Sequence, residues 1–205
     1  MNYLFDLDDT LVHTSEIVLR SMQEWCIKNS IELNEALAIG KGRRTKETVS
    51  FLAPHLDAEL EANRIEEREA ELVERITPLE GAVEFINGLP KSSWAVVTSS
   101  SHELAIKKLR ICNFPLPKVL ISSNSVTTGK PSPEPYNKAI ELMQASPSDC
   151  VAFEDAESGI ESALVSGCKV IIVGEYSGKF DAHVYGRIKT FNQLKWVEGE
   201  LFGCE

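Results

Sequence analysis

Five short apolar runs punctuate the chain, and they restrict its fold more than any other feature. They are "NYLF" ahead of Asp6, "WAVVTS" over Trp94–Ser99, "KVLISS" over Lys118–Ser123, "CVAFED" over Cys150–Asp155 and "KVIIVG" over Lys169–Gly174. Each is apolar at consecutive rather than alternating positions and rich in Val, Ile or Phe. Short runs of that kind fit strands buried on both faces, as in a parallel sheet. Helix-length segments separate the later runs: Leu79–Leu89, Ser101–Cys112, Pro133–Gln144 and Ser158–Ser166. Strand and helix in alternation specify a doubly wound α/β domain.

Residues 14–77 interrupt the alternation and contain no convincing strand. "SEIVLRSMQEWCIKN" has helical spacing, with Ile17, Met22, Trp25 and Cys26 apolar. Asp57–Arg75 is helical and acidic, with eight carboxylates against three arginines, half of the chain's net charge of −10. Its expected role is a solvated face laced by the pairs Glu71–Arg75, Glu61–Arg64 and Arg64–Glu67. Pro78 and Gly81 in "TPLEGA" mark the return to the alternating pattern. The expected organisation is a core of residues 1–13 and 78–205, with an all-helical cap, 14–77, inserted after the first strand.

With 205 residues, 43% of them hydrophobic, the chain can bury one sizeable core and a smaller insertion. A net charge of −10 and a pI near 5.0 argue against a nucleic-acid partner. Cys26, Cys112, Cys150, Cys168 and Cys204 are widely spaced with no CxxC pair, the pattern of reduced thiols in a cytoplasmic protein. No stretch approaches the ~20 apolar residues of a membrane span, and the first residues lack a secretory signal pattern. None of these features sets an oligomeric state.

Polar residues gather at the ends of the apolar runs: Asp6 and Asp8, then Thr98 and Ser99, then Lys130, then Glu154 and Asp155. In open α/β sheets the ligand crevice lies outside the carboxyl ends of the strands, so these residues are expected to converge. Four carboxylates together repel one another. A divalent cation relieves this, and hard oxygen ligands suit Mg²⁺. The lysine and the hydroxyl then point to an anionic guest, and phosphate beside Mg²⁺ meets both needs. Each residue also has a plainer reading: Asp6 and Asp8 as turn formers, Thr98 as a strand residue, Lys130 in a Pro-rich turn, Glu154–Asp155 as a helix cap.

Taken together, "DLDDT", "VVTSS", Lys130 in "GKPSPEPY" and "FEDAESGI" resemble, in order, the four motifs of the haloacid dehalogenase (HAD) superfamily of phosphohydrolases. The resemblance implies a Rossmann-like doubly wound parallel-sheet core with an inserted all-helical cap. It implies that Asp6 attacks phosphorus to form an aspartyl-phosphate. Asp8 would act as acid and base, its pKa raised by neighbouring carboxylates. Mg²⁺ would be held by Asp6, the Asp8 carbonyl, Asp155 and Glu154, directly or through water. Thr98, Ser99 and Lys130 would hold the phosphoryl oxygens, with Ser100 alongside.

Dehalogenases and phosphonatases of the superfamily do not keep an aspartate two after the nucleophile, so Asp8 leaves phosphatases and phosphomutases. The β-phosphoglucomutase-like mutases carry a histidine where this chain has Val18. "IGKGRRTKET" is similar to the specificity loop of small sugar- and polyol-phosphate phosphatases, the match falling on Gly42, Arg43, Arg44 and Thr45. The plainer reading of that loop is a basic turn opening a helix at Thr45. The expected activity is Mg²⁺-dependent hydrolysis of small sugar or polyol phosphate monoesters, with a β-phosphoglucomutase-like sugar phosphomutase as the alternative and a non-catalytic phosphometabolite-binding protein behind both. Two departures stand out: Asp9 where the family usually has Gly, harmless if its φ is negative, and His13 where Asp is common.

Overall fold

A computed structural model of the chain describes residues 1–197 and 200–202. The elements run β1 (Asn2–Phe5), β2 (Val12–His13), α1 (Ser15–Asn29), α2 (Leu33–Gly40), α3 (Thr45–Leu52), α4 (Ala58–Leu72), β3 (Thr77–Pro78) and α5 (Ala82–Gly88). They continue with β4 (Trp94–Val97), α6 (His102–Ile111), β5 (Val119–Ile121), α7 (Glu134–Leu142), β6 (Cys150–Glu154), α8 (Glu157–Val165), β7 (Lys169–Val173) and β8 (Gly186–Ile188). The short strands β9 (Lys195–Val197) and β10 (Glu200–Phe202) pair antiparallel with each other.

The main sheet has six strands in the order β5-β4-β1-β6-β7-β8, every pairing parallel. All five apolar runs are strands of it. The order reverses between β1 and β6, and in such sheets that switch point opens the ligand crevice. Both faces are buried, which is why the runs are continuously apolar. Phe5, Phe153, Val96 and Ile171 face one core, and Leu4, Ala152, Ala95 and Val170 the other. Phe5 and Phe153, cross-strand neighbours, stack with ring centroids 4.7 Å apart.

Helices α1–α4 form a segment with its own core of Met22, Trp25, Cys26, Ala36, Val49, Ala53 and Ile65. It leaves and rejoins the sheet domain through β2 and β3, which pair antiparallel. The acidic helix α4 differs from its expected role. Glu61 and Glu69 are buried, and Glu61 accepts a hydrogen bond from Trp25 Nε1 at 3.1 Å. Arg64 does pair with Glu61, but Glu71 pairs with Arg68 at 2.7 Å and Arg75 reaches across to Glu16 of α1 at 2.8 Å. The anticipated Glu71–Arg75 pair fails because Val73–Arg75 tightens into a 3-10 turn, which alters the four-residue spacing.

Cys26, Cys112, Cys150 and Cys168 are buried free thiols, and Cys204 lies outside the described residues. Among the described residues, no helix is long and apolar enough to cross a membrane.

Candidate active site

Strand register brings the motifs together. Phe5 pairs with both Val96 and Phe153, so Asp6, Glu154 and the end of β4 emerge side by side at the switch point. The Asp6 amide donates to Phe153 O at 3.0 Å, continuing the ladder one residue past the strand.

Lys130, 1% exposed, is the hub of this edge. Its Nζ donates to Asp6 Oδ1 at 2.6 Å, Glu154 Oε1 at 2.6 Å and Val97 O at 2.9 Å. All three ammonium protons are therefore used, which a buried lysine requires. Tyr136 OH also donates to Glu154 Oε1, at 2.6 Å. The other oxygen, Glu154 Oε2, is buried without a hydrogen-bond partner among the described residues. Gly159 makes room for this carboxylate: a Cβ there would sit 2.1 Å from it.

Asp6, Glu154 and Asp155 each offer an oxygen within 4.8 Å of the others. Burial pushes the Asp6 carboxyl up, against the pull of Lys130. Burial, opposed by Lys130 and reinforced by Asp6 and Asp155, raises Glu154 to about 8. Burial and the Asp6 charge raise Asp155 to about 7, against the pull of Lys41. One unpartnered buried oxygen among three crowded carboxylates fits a hard divalent cation, which would take up the charge that protons otherwise must.

Asp8 stands apart from that trio. Its Oδ1 accepts from Lys108 Nζ at 2.5 Å and its Oδ2 from Ser100 Oγ at 2.8 Å. Burial would raise its pKa, but Lys108 and Ser100 outweigh burial and the net direction is down. The expected upward shift is thus reversed, because a buried ammonium lies closer to Asp8 than the neighbouring acids do. Thr98 sits behind the cavity wall, 3% exposed, its Oγ1 accepting from the Ser100 amide at 3.1 Å. In this position its hydroxyl shapes the turn that presents Ser99 and Ser100.

A cavity of about 380 Å³ lies between the sheet edge and the helical segment. Asp6, Asp8, Asp155, Ser99 and Ser100 line one side. Gly42, Arg43 and Thr45 of the basic loop line the other, as does Val18. Gly42, at φ +72°, passes so close to the start of α8 that a Cβ would meet Ser158 Oγ at 2.4 Å. Ser99 Oγ donates to Gly42 O at 2.8 Å, and Lys41 Nζ lies 3.2 Å from Asp155 Oδ2. Arg43 is exposed at the cavity with no ion-pair partner among the described residues. Arg44 turns away from the cavity. Its guanidinium donates to Val126 O at 3.0 Å, Thr127 O at 2.7 Å and Glu47 Oε1 at 2.5 Å. The two arginines are adjacent, but Arg44 caps the start of α3 and is drawn to the backbone carbonyls of the core.

Residues 3–173 match the family model described as haloacid dehalogenase-like hydrolase. The chain belongs to that family. It is 36% identical over 176 residues to hexitol phosphatase A of Escherichia coli, spanning 83% of this chain and 82% of the relative. It is 32% identical over 180 residues to glycerol-1-phosphate phosphohydrolase 2 of Saccharomyces cerevisiae, spanning 82% and 72%. Its fold superimposes on the crystal structure of CbbY from Rhodobacter sphaeroides in complex with phosphate, with a TM-score of 0.81 at 23% identity, covering 93% and 94% of the two chains.

Within this haloacid dehalogenase-like hydrolase, the departure at Asp9 has a structural basis. Its φ is +55°, the left-handed conformation a glycine adopts freely and an aspartate tolerates. The carboxylate compensates by accepting from the Thr14 amide at 2.9 Å and the Ser15 amide at 3.1 Å, capping α1. His13 lies in β2, paired with Thr77, and is exposed.

The motif reading of this hydrolase passed over Lys108, Glu69, Glu66 and Tyr136. Lys108 donates to Asp8, to Ser100 Oγ at 3.1 Å and to Glu69 Oε2 at 3.3 Å, tying α4 to α6. A signal existed. Lys108 falls on the apolar stripe Leu104, Ala105, Leu109, and Glu69 on the stripe Ala62, Ile65, Leu72. A charge on each of two buried stripes is a cue to pair them.

Proposed function

We propose that this hydrolase is a Mg²⁺-dependent phosphatase of small sugar or polyol phosphate monoesters, with α1–α4 as a cap over the site. The observation that carries the reading is the Lys130 bridge between Asp6 and Glu154, with Asp155 completing a carboxylate trio. The names of its relatives, a hexitol phosphatase and a glycerol-1-phosphate phosphohydrolase, support the substrate class.

Asp6, Glu154, Asp155 and the Asp8 backbone would hold the cation. Bound there, Mg²⁺ would offset the carboxylate charge and that of the phosphoryl oxygens. Asp6 attacks the phosphorus in line, and the bond to the ester oxygen breaks. The leaving oxygen takes a proton from Asp8, which gains that proton as the substrate's negative charge arrives beside it. Water then attacks the phosphorus of the aspartyl-phosphate and gives a proton to Asp8. The bond between Asp6 and phosphorus breaks, releasing phosphate and restoring the carboxylate. Ser99 and Ser100 hold the phosphoryl group, Lys130 positions Asp6 and Glu154 and offsets charge from behind them, and Arg43 and Thr45 contact the substrate from the cap. Seating the cap over a small metabolite excludes bulk water.

The test is phosphate release from a panel of sugar and polyol phosphates with Mg²⁺ and with EDTA. Release that requires Mg²⁺ is expected. Conversion of an aldose phosphate to its positional isomer without phosphate release would point to a mutase, a reading that Val18 on the cavity wall disfavours. Binding without turnover across the panel would point to a non-catalytic protein.

A further inference from the structure

Carboxylates line the cavity both from the sheet edge and from the helical segment. Lys41, paired with Asp155, and Arg43 line it from the basic loop, and Lys130 lies behind Asp6. The helical wall is made of Val18, Leu19, Met22 and Leu37, interrupted by two carboxylates from α4, Glu66 and Glu69. Glu69 is engaged with Lys108. Glu66 is half-buried and accepts from the Ser101 amide at 3.2 Å. A carboxylate has about four acceptor sites, so the contact with Ser101 leaves capacity facing the cavity.

We propose that Glu66 is a specificity-determining residue: it accepts hydrogen bonds from hydroxyls on the non-phosphorylated part of the substrate and, with Glu69, repels a second phosphate. The enzyme is then selective for neutral, hydroxyl-rich monophosphates over bisphosphates. This rests on the phosphatase reading above and adds what the helical wall recognises. The chemistry is direct. A hydroxyl donates to a carboxylate in a charge-assisted bond, which is stronger than one to a neutral acceptor. A second phosphate against α4 would meet two acidic side chains whose neighbouring cation, Lys108, is already shared by Asp8, Ser100 and Glu69. Leu19, Met22 and Val18 suit the carbon skeleton of the substrate.

The experiment compares kcat/KM for three esters: acetyl phosphate, which has no hydroxyl beyond the phosphate; the polyol monophosphate the wild type turns over best; and a hexose bisphosphate. Glu66→Ala should lower kcat/KM for the polyol monophosphate at least tenfold, mainly through KM, and change acetyl phosphate less than threefold. A tenfold loss corresponds to about 1.4 kcal/mol, the scale of one hydrogen bond to a charged group. Glu66→Gln, which keeps the shape, should raise the bisphosphate-to-monophosphate ratio at least threefold. Acetyl phosphate turnover also reports folding, and Glu66→Gln carries the comparison alone if Glu66→Ala is unstable. Equal losses on all esters, or none, overturn the proposal while leaving the phosphatase reading intact. A wild type that hydrolyses no ester in Mg²⁺ overturns both.

Discussion

Lys108, on a helix of the sheet domain, places its ammonium 2.5 Å from the carboxylate of Asp8 and 3.3 Å from that of Glu69 on the helical segment. The lysine is fully buried, so its charge is tolerable only because these acids surround it. Burial lowers its pKa, but the two carboxylates outweigh burial and hold it protonated. Asp8 and the helical segment therefore share one cation.

Removing that cation should be costly. Lys108→Met leaves the Asp8 and Glu69 carboxylates unpaired, and breaking a buried pair typically costs about 3–5 kcal/mol. Urea unfolding should show a loss of roughly that size. Adding Glu69→Gln should recover part of it, because one of the two stranded charges is then gone. Additive losses in the double variant would show that the two residues do not interact.

The raised carboxyls at the sheet edge make stability depend on pH. Asp155 at about 7 and Glu154 at about 8 both sit above their ordinary values. The metal-free folded protein thus holds protons that the unfolded chain has released. The stability these two carboxyls contribute is full below about pH 4 and is lost as pH rises toward about 8. Mg²⁺ held by the trio would take the place of those protons, so its stabilising effect should grow with pH. Thermal melts with and without Mg²⁺ should show a larger rise in Tm at pH 8 than at pH 6. An equal rise at both would place the cation elsewhere.

Neighbouring arginines should separate into two roles. Arg44→Ala removes charge-assisted bonds to the carbonyls of Val126 and Thr127, so it should lower stability by about 2 kcal/mol. Arg43→Ala should leave the melt within a degree or so and raise KM several-fold. Denaturation and steady-state kinetics on the pair check this, and the reverse pattern would return Arg44 to the substrate.

The sheet was legible because its strands are buried on both faces, and continuous apolar runs report that condition directly. β8 was not, since Gly186–Ile188 is an edge strand of three residues with an arginine at its centre. Asp6, Glu154 and Asp155 were readable because they lie at or just past the ends of β1 and β6, whose register is fixed, whereas Lys130 sits in the loop between β5 and α7 and was readable from its motif. Asp8's electrostatic setting was not readable. It depends on Lys108, a hundred residues away, whose partner is set by helix packing and by no local motif. The acidic helix α4 misled for a related reason. Its charge balance resembles a solvated face, yet Glu61 and Glu69 point inward because Trp25 and Lys108 supply buried donors. Asp9 shows the limit of a motif most clearly. A residue that replaces glycine at φ +55° is explained only once Thr14 and Ser15 are seen beneath its carboxylate.

The most direct measurement is phosphate release by Asp6→Asn on whichever sugar or polyol phosphate the wild type hydrolyses in Mg²⁺. Asparagine keeps the shape of the buried side chain and removes its nucleophilic oxygen, so the variant should fold with a Tm no lower than the wild type's. Its kcat should fall roughly a thousandfold or more. A folded Asp6→Asn protein that releases phosphate at the wild-type rate would contradict the assignment of Asp6 as the nucleophile.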